Sequence, residues 1–315
     1  MPARTLNMIS VSGGKDSTAT LLMAINRGVE NILPVFADTG NEHQITYDYL
    51  DYLEHRLDIT ILRVKADFSD NVNRKRESTL QKWIEQGIDN NIIESARAAL
   101  QPSGNPFLDL CLWKGRFPAS NSQFCTEELK IIPITNQVVW PNLKEYEQIE
   151  SWQGVRWDES TRRSAYVERE GIDPDATRVF AYRPILSWCA DWVFDYHKRN
   201  NVKWNPLYEQ GMARVGCMPC VNSRKDEIKN IAERFPEVID RIRQWEYCVS
   251  MASKRQSSTF FCATNDPTVD ANNVDYKVDG IDRMVDWANT LRGGRQRDLI
   301  ATDAPACQSS YGLCG

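Results

Sequence analysis

The chain has 315 residues, with 38 Lys and Arg against 43 Asp and Glu, a net charge of −5 at neutral pH. That length buries a proper core in one large or two small domains, and the charge argues against a broad nucleic-acid-coating surface. The N-terminus MPARTLNMIS carries no apolar run of signal-peptide length and no later stretch approaches a membrane span, so a cytoplasmic protein with no membrane partner is the expectation.

Residues 7–11 read as a short buried strand, followed by Ser12-Gly13-Gly14-Lys15-Asp16-Ser17 and then by the helical pattern STATLLMAINRG, which closes at Gly28. ILPVFADTG reads as a second strand ending in Asp38-Thr39-Gly40, EHQITYDYLDYLEHRL as a helix, and ITILRVKA as a third strand. Residues 68–120 are polar and less regular, with QPSGNPF marking a loop. CTEELKIIPITNQVV reads as helical, with Pro133 expected to break or restart it. Two further strands fall in YEQIESWQGVRW and RVFAYRPI, and a helix in CADWVFDYHKRNN is capped by its Asn pair. NPLYEQGMARVGCMPC is an irregular loop, the pattern turns helical from Ser223 to about Lys254 with an interruption at Pro236, and the last sixty residues read as polar and loop-rich.

Strands alternating with helices imply an α/β fold, a parallel sheet with helices on both faces, whose ligands collect at the carboxyl ends of the strands. Residues 1–222 are expected to form this domain and residues 223–315 a helical and irregular extension that carries cysteines. Both SGGKDS and DTG fall at strand ends. The glycines let backbone N–H groups approach an anion and the following helix N-terminus favours it, although the P-loop signature G-x-x-x-x-G-K-[ST] is absent. Ser12, Gly13, Gly14, Lys15, Asp16 and Ser17 are therefore expected to hold phosphate, with Asp16 helping to hold Mg2+ if the ligand is ATP; a plain Gly-Gly turn with a Ser/Asp cap is the simpler alternative. Trp188, Trp192 and Tyr196 recur at helical spacing and are expected in the core.

Nine cysteines in a cytosolic chain suggest metal binding or redox chemistry, and only Cys217 and Cys220 form a tight C-x-x-C pair, on a turn that is able to hold one metal centre. Three histidines without H-x-x-H spacing argue against a histidine-rich zinc site.

Four blocks carry a family resemblance: SGGKDS, Asp38-Thr39-Gly40, GVRWDESTRRSAY at 154–166, and RPILSWCADWVFDYHKRNNVKWNPLYEQGMARVGCMPC at 183–220. Taken together they resemble the phosphoadenosine phosphosulfate reductase-like branch of the PP-loop superfamily, the adenine nucleotide alpha-hydrolase-like, Rossmann-like fold. The resemblance spans about residues 8–245. It implies an adenine nucleotide, ATP or phosphoadenosine phosphosulfate, on the SGGKDS loop. Asp38, Thr39 and Gly40 would line the adenosine pocket, and Arg156, Arg162 and Arg163 would neutralise the anion. In cluster-bearing members of the family a second cysteine pair completes a [4Fe–4S] site. Here a single Cys125 stands at that place, so Cys125, Cys217 and Cys220 would be ligands, with Cys262, Cys111 or a C-terminal cysteine as a fourth or the fourth position left open, and zinc as the alternative metal.

Family reductases also end in a tail whose cysteine attacks the sulfur of the nucleotide. Cys314 and Cys307 lie in such a tail, in the context DAPACQSSYGLCG, which lacks the flanking glutamate and histidine of the family. Catalysis is thus assigned to Cys314, Cys307, Lys15 and Asp16. Two enzyme readings follow: a sulfonucleotide reductase served by a thiol electron donor, or an ATP-dependent, pyrophosphate-releasing sulfur transferase with a sulfur-donor protein and a nucleic-acid substrate. A non-catalytic nucleotide or redox sensor is the third. A homo-oligomer is expected in each case.

Overall fold

The computed structural model describes residues 4–172, 178–261, 274–290 and 310–312. Six strands, β1 (Thr5–Ser10), β2 (Ile32–Asp38), β3 (Leu62–Lys65), β4 (Gln148–Trp152), β5 (Arg169–Gly171) and β6 (Val179–Tyr182), form one sheet in the order β3-β2-β1-β4-β6-β5. All neighbours pair in parallel except β5, which runs antiparallel to β6 at the edge. In β1, Leu6 and Met8 face one side, as do Val35, Ala37, Val64 and Ile149 of its neighbours, and Ile134, Val138 and Val139 pack there. Ile9 and Phe36 face the other side, against Leu21 and Leu22 of α1 (Lys15–Asn26) and Tyr49, Leu50 and Leu53 of α2 (Gln44–Leu57). Burial on both faces is what a parallel sheet requires, and it explains why β1 and β2 read as nearly continuous apolar runs. The expected α/β fold is present.

The element ends follow local chemistry. Gly28, at φ +60°, stops α1 in the left-handed conformation, and Asn201, at φ +52°, does the same after the helix Ala190–Arg199. Pro133 does not break its helix. Residues 127–142 stay helical, with wide π turns at Glu127–Ile131 and Thr135–Val139 on either side of it. Wider turns move the carbonyls away from the ring and accommodate the missing N–H.

The chain divides into two compact units, neither continuous in sequence: Met1–Lys65 with Thr126–Met218 and Arg297–Gly315, and Ala66–Cys125 with Pro219–Gln296. Residues 66–125 therefore group with the C-terminal helices, not with the rest of residues 1–222. The sheet belongs wholly to the first unit.

In the second unit the polar stretch 68–120 is largely helical, with helices at Ser69–Arg74, Leu80–Glu85, Asn90–Ala99 and Pro106–Lys114. The first three of these bury few apolar residues, Val72, Leu80, Trp83, Ile93 and Ala96, in a polar background, whereas Pro106–Lys114 buries Pro106, Phe107, Asp109, Leu110, Cys111 and Leu112. The Ser103-Gly104-Asn105 turn is a loop as expected, and Asn105 caps the next helix by accepting from the Leu108 N–H at 3.0 Å. Phe107 stacks on Trp245 at 5.5 Å between centroids and touches Phe260 at 5.8 Å, which in turn meets Phe117 at 5.3 Å. The late segment expected to be loop-rich also carries the helices Tyr276–Asp279 and Ile281–Asn289, the second burying Ile281 and Ala288. No helix among the described residues is long and apolar enough to cross a membrane.

Candidate functional site

From β1 the chain steps outward to β2 and β3, then returns to β4 on the opposite side of β1. The strand order reverses beside β1, the place where open α/β sheets bind ligands. The SGGKDS loop leaves the carboxyl end of β1, and Gly154-Val155-Arg156 leaves that of β4. They are in tight contact: a Cβ on Gly154 would stand 2.6 Å from the Asp16 carbonyl and the Ser17 amide nitrogen. Gly13 has φ +77°, the left-handed conformation that favours glycine, and a Cβ there would meet Thr46 Cγ2 at 2.7 Å, whereas at Gly154 it is the approach of backbone that excludes a side chain.

The loop is internally braced. Ser12 N–H donates to Ser17 Oγ at 3.1 Å, and Ser17 Oγ donates to the Gly14 carbonyl at 3.0 Å. Asn205 Nδ2 donates to the Gly13 carbonyl at 3.2 Å. The Lys15 N–H donates to the Tyr208 hydroxyl at 3.0 Å, and His197 Nε2 meets the Lys15 carbonyl at 2.8 Å. Burial pushes the His197 pKa down and the Tyr208 pKa up, keeping both rings neutral at pH 7 and above.

The charges interlock. Asp16 accepts from Lys15 Nζ at 2.9 Å through Oδ2 and from Arg156 Nε at 2.6 Å through Oδ1. Arg156 Nη1 also holds Asp158, at 2.6 Å from Oδ2, and the Arg156 N–H donates to Glu159 Oε2 at 2.7 Å. Glu159 in turn pairs with Arg163 Nη1 at 2.6 Å. Burial works against the Arg156 cation, but Asp16, Glu159 and Asp158 more than offset it and raise its pKa. The structure thus brings Arg156 to the SGGKDS loop and ties Arg163 to the Arg156 turn through Glu159, each arginine paired with a carboxylate. Arg162 is exposed. Each oxygen of Asp16 thus accepts from one of the two flanking cations.

Asp38, Thr39 and Gly40 form a second cluster at the end of β2. Asp38 Oδ1 accepts from the Gly40 N–H at 3.0 Å and from the Tyr47 hydroxyl at 2.7 Å. Its centre is Glu42, a buried carboxyl that sequence reasoning passed over. Thr39 donates to it twice, from N–H at 3.2 Å and from Oγ1 at 2.7 Å, and Tyr47 donates at 3.2 Å. Burial raises the Glu42 pKa, while the Thr39 bond and the charge of Lys130 draw it down. Its only sequence signal is a charged residue between DTG and the start of α2.

Cys217 Sγ lies 3.4 Å from Thr39 Oγ1 and donates to Glu42 Oε1 at 3.7 Å, joining the strand-end network. Cys125 lies near Cys111, whose thiol pKa burial pushes well up, with Cys125 adding to the shift. The Cys220 N–H is turned to Ser223 Oγ at 3.1 Å. Among the described residues no group of three or more His, Cys, Asp or Glu side chains is arranged to hold a metal ion. Cys262, Cys307 and Cys314 lie outside the described residues. Trp188 and Tyr196 pack edge to face at 5.1 Å as expected, but Trp192 is 61% exposed, because it falls on the outer side of its helix.

The C-terminal residues Ser310–Gly312 dock on the first unit at these same strand ends. Ser10 Oγ donates to the Tyr311 carbonyl, Gln153 Nε2 donates to the Ser310 carbonyl at 2.7 Å, and the Tyr311 hydroxyl meets Thr135 Oγ1 at 2.9 Å. Gly312 takes φ +65° against the Gln153 side chain, where a Cβ would clash at 2.7 Å.

Comparison with known proteins accords with this arrangement. An uncharacterized 37.8 kDa protein in the gpa 5′ region of Escherichia phage 186 is 43% identical, over 98% of this chain and 97% of its own length. The phosphoadenosine 5′-phosphosulfate reductase of Buchnera aphidicola subsp. Acyrthosiphon pisum (strain Tuc7) is 26% identical, over 66% of this chain and 68% of its own. A crystal structure of phosphoadenylyl-sulfate reductase from Candida auris, a phosphate complex, has a TM-score of 0.41 at 18% identity, covering 69% of this chain and 82% of that one. A family model, "Phosphoadenosine phosphosulfate reductase domain", matches residues 6–223, which contain the SGGKDS loop, the DTG cluster and the Arg156 network: the chain belongs to the phosphoadenosine phosphosulfate reductase family of the PP-loop superfamily.

Proposed function

We propose that the chain is a sulfonucleotide reductase, binding phosphoadenosine phosphosulfate across the carboxyl ends of β1 and β4. Family membership supports the substrate class, and the loop's backbone N–H groups with Lys15 and Arg156 supply donors for its anionic groups. In this reading Ser12, Gly13, Gly14 and Ser17 cradle the phosphosulfate, and Asp38 with Gly40 lines the adenosine side.

The observation that carries the reductase reading is the docking of Ser310–Gly312 beside the SGGKDS loop, since Cys314 follows Gly312 by only two residues. The Cys314 thiolate attacks the sulfonate sulfur and forms an S–S bond as the sulfur–oxygen bond to phosphate breaks. The nucleotide leaves with that oxygen and its electron pair, and the enzyme retains an S-sulfonate. A thiol of a dithiol electron-donor protein then attacks Cys314 Sγ, releasing sulfite with the electron pair of the cleaved S–S bond. The second donor thiol resolves the mixed disulfide and returns Cys314 as the thiolate.

The test is sulfite release from phosphoadenosine phosphosulfate with reduced thioredoxin. Activity lost in Cys314→Ser and kept in Cys307→Ser supports the assignment. No sulfite release, together with ATP-dependent pyrophosphate release that survives loss of Cys314, refutes it in favour of the sulfur transferase.

A further inference from the structure

We infer that Asp158 is a built-in stand-in for the anionic group of the ligand, occupying the guanidinium edge of Arg156 until substrate displaces it. The inference rests on the nucleotide reading of the site and assigns a role to a residue of the GVRWDESTRRSAY block to which the resemblance gives none.

The two carboxylates on Arg156 differ sharply in setting. The Asp16 pair is buried on both sides, with side chains 10% and 6% exposed, and Asp16 is fixed at the start of α1 between Arg156 and Lys15. Asp158 is 50% exposed and stands on a single 3-10 turn, Trp157–Glu159. Both of its oxygens converge on Arg156 Nη1, at 2.5 and 2.6 Å. A carboxylate in that position presents to a guanidinium the same pair of acceptor oxygens as a phosphate or sulfonate.

Charge balance makes the placement consequential. The network holds three cations, Lys15, Arg156 and Arg163, and three carboxylates, Asp16, Asp158 and Glu159, so it is neutral as it stands. A polyanionic ligand gains little from a neutral site. Of the three carboxylates, Asp16 and Glu159 are 10% and 17% exposed and tied into the fold, whereas Asp158 can turn into water at small cost because half-exposed pairs are weak. Its departure leaves a net positive charge and frees the outward edge of a buried arginine. Asp158 therefore sets anion affinity: it satisfies Arg156 in the empty site and makes binding an exchange of one anion for another.

The experiment is calorimetric titration of phosphoadenosine phosphosulfate into the full chain and into Asp158→Asn, Asp158→Ala and Asp158→Glu, with thermal melts in parallel. The Asn and Ala variants should bind roughly three- to tenfold more tightly, the Glu variant within about twofold of wild type, and the melting temperatures should stay close. Unchanged or weaker binding by the Asn and Ala variants, with wild-type binding intact, overturns the role of Asp158 alone. Weaker binding with a lowered melting temperature marks Asp158 as a strut of its turn and overturns it equally. Absence of binding by the folded wild type and all variants overturns the nucleotide reading and this inference with it.

Discussion

Asp16 and Arg156, 140 residues apart in the chain, meet at 2.6 Å and tie the loop after β1 to the loop after β4. The pair is buried, so removing one partner leaves a charge without full compensation in a poorly solvated place. Arg156→Gln is expected to cost about 2–4 kcal/mol of folding stability, less than the loss of an isolated buried pair because Lys15 still faces Asp16. Asp16→Asn combined with Arg156→Gln should recover part of that loss, a coupling of about 1–3 kcal/mol. Urea denaturation of the two single variants and the double variant measures it; strictly additive losses would show that the pair is not coupled.

Gly154 tests whether the close approach of the two loops matters to the site itself. Gly154→Ala must push the Asp16–Ser17 backbone away, since its Cβ has atoms at 2.6 Å and no flexible side chain to displace. A stability loss of about 1–3 kcal/mol is expected. Nucleotide affinity should fall by more than tenfold, because the loop N–H groups shift with the backbone. Titration at a temperature where both proteins are folded separates the two effects.

How much of this was legible from residues alone follows from the range of the interactions. The strand ends, the SGGKDS loop and the Gly28 and Asn201 stops are local signals and could be read directly. So could the meeting of Arg156 with the loop, through the resemblance. Tyr208 and His197 reach Lys15 from 193 and 182 residues away, and no local pattern records such contacts. Glu42 was passed over for a related reason: its partners Thr39 and Tyr47 are near in sequence, yet only burial gives the carboxyl its character. The helices between Ser69 and Ala99 escaped notice because each buries only one or two residues. Thiol count and C-x-x-C spacing do not specify where further donors fall, and the bond from Cys217 to Glu42 has no local sequence signal.

In the second unit, Glu246 should give stability a pH dependence of defined sign. The carboxyl accepts from Phe260 N–H at 2.8 Å and Ile281 N–H at 2.9 Å, yet burial outweighs both bonds and raises its pKa from the ordinary 4.5 to about 7. The folded chain then holds this proton more tightly than the unfolded chain does. Its contribution is fully present below pH ~4.5 and is lost as pH rises through about 7, about 3 kcal/mol in all. Glu246→Gln removes this slope. It also orphans one of the two backbone N–H groups, since an amide has a single acceptor oxygen, at a cost of about 1–3 kcal/mol. Chemical denaturation between pH 4.5 and 8 compares the slopes; equal slopes in the two proteins would reject the assignment.

Tyr311 separates a structural tail from a catalytic one. Its side chain is buried among Leu6, Met8 and Ile134, and its hydroxyl meets Thr135. Tyr311→Phe keeps the ring and loses one hydrogen bond, so it should cost about 1 kcal/mol and leave turnover nearly intact. Tyr311→Ala loses the ring and undocks the tail, at about 3–5 kcal/mol. If the thiol of Cys314 attacks the bound nucleotide, Tyr311→Ala should lower kcat for sulfite release by more than tenfold at a temperature where it remains folded. The affinity for the nucleotide, set by the SGGKDS loop and Arg156, should change little. A chain ending at Ser309 should retain nucleotide binding and release no sulfite at all. Turnover preserved in that truncated chain would place the nucleophile elsewhere, because neither the docked residues nor Cys314 would then be present.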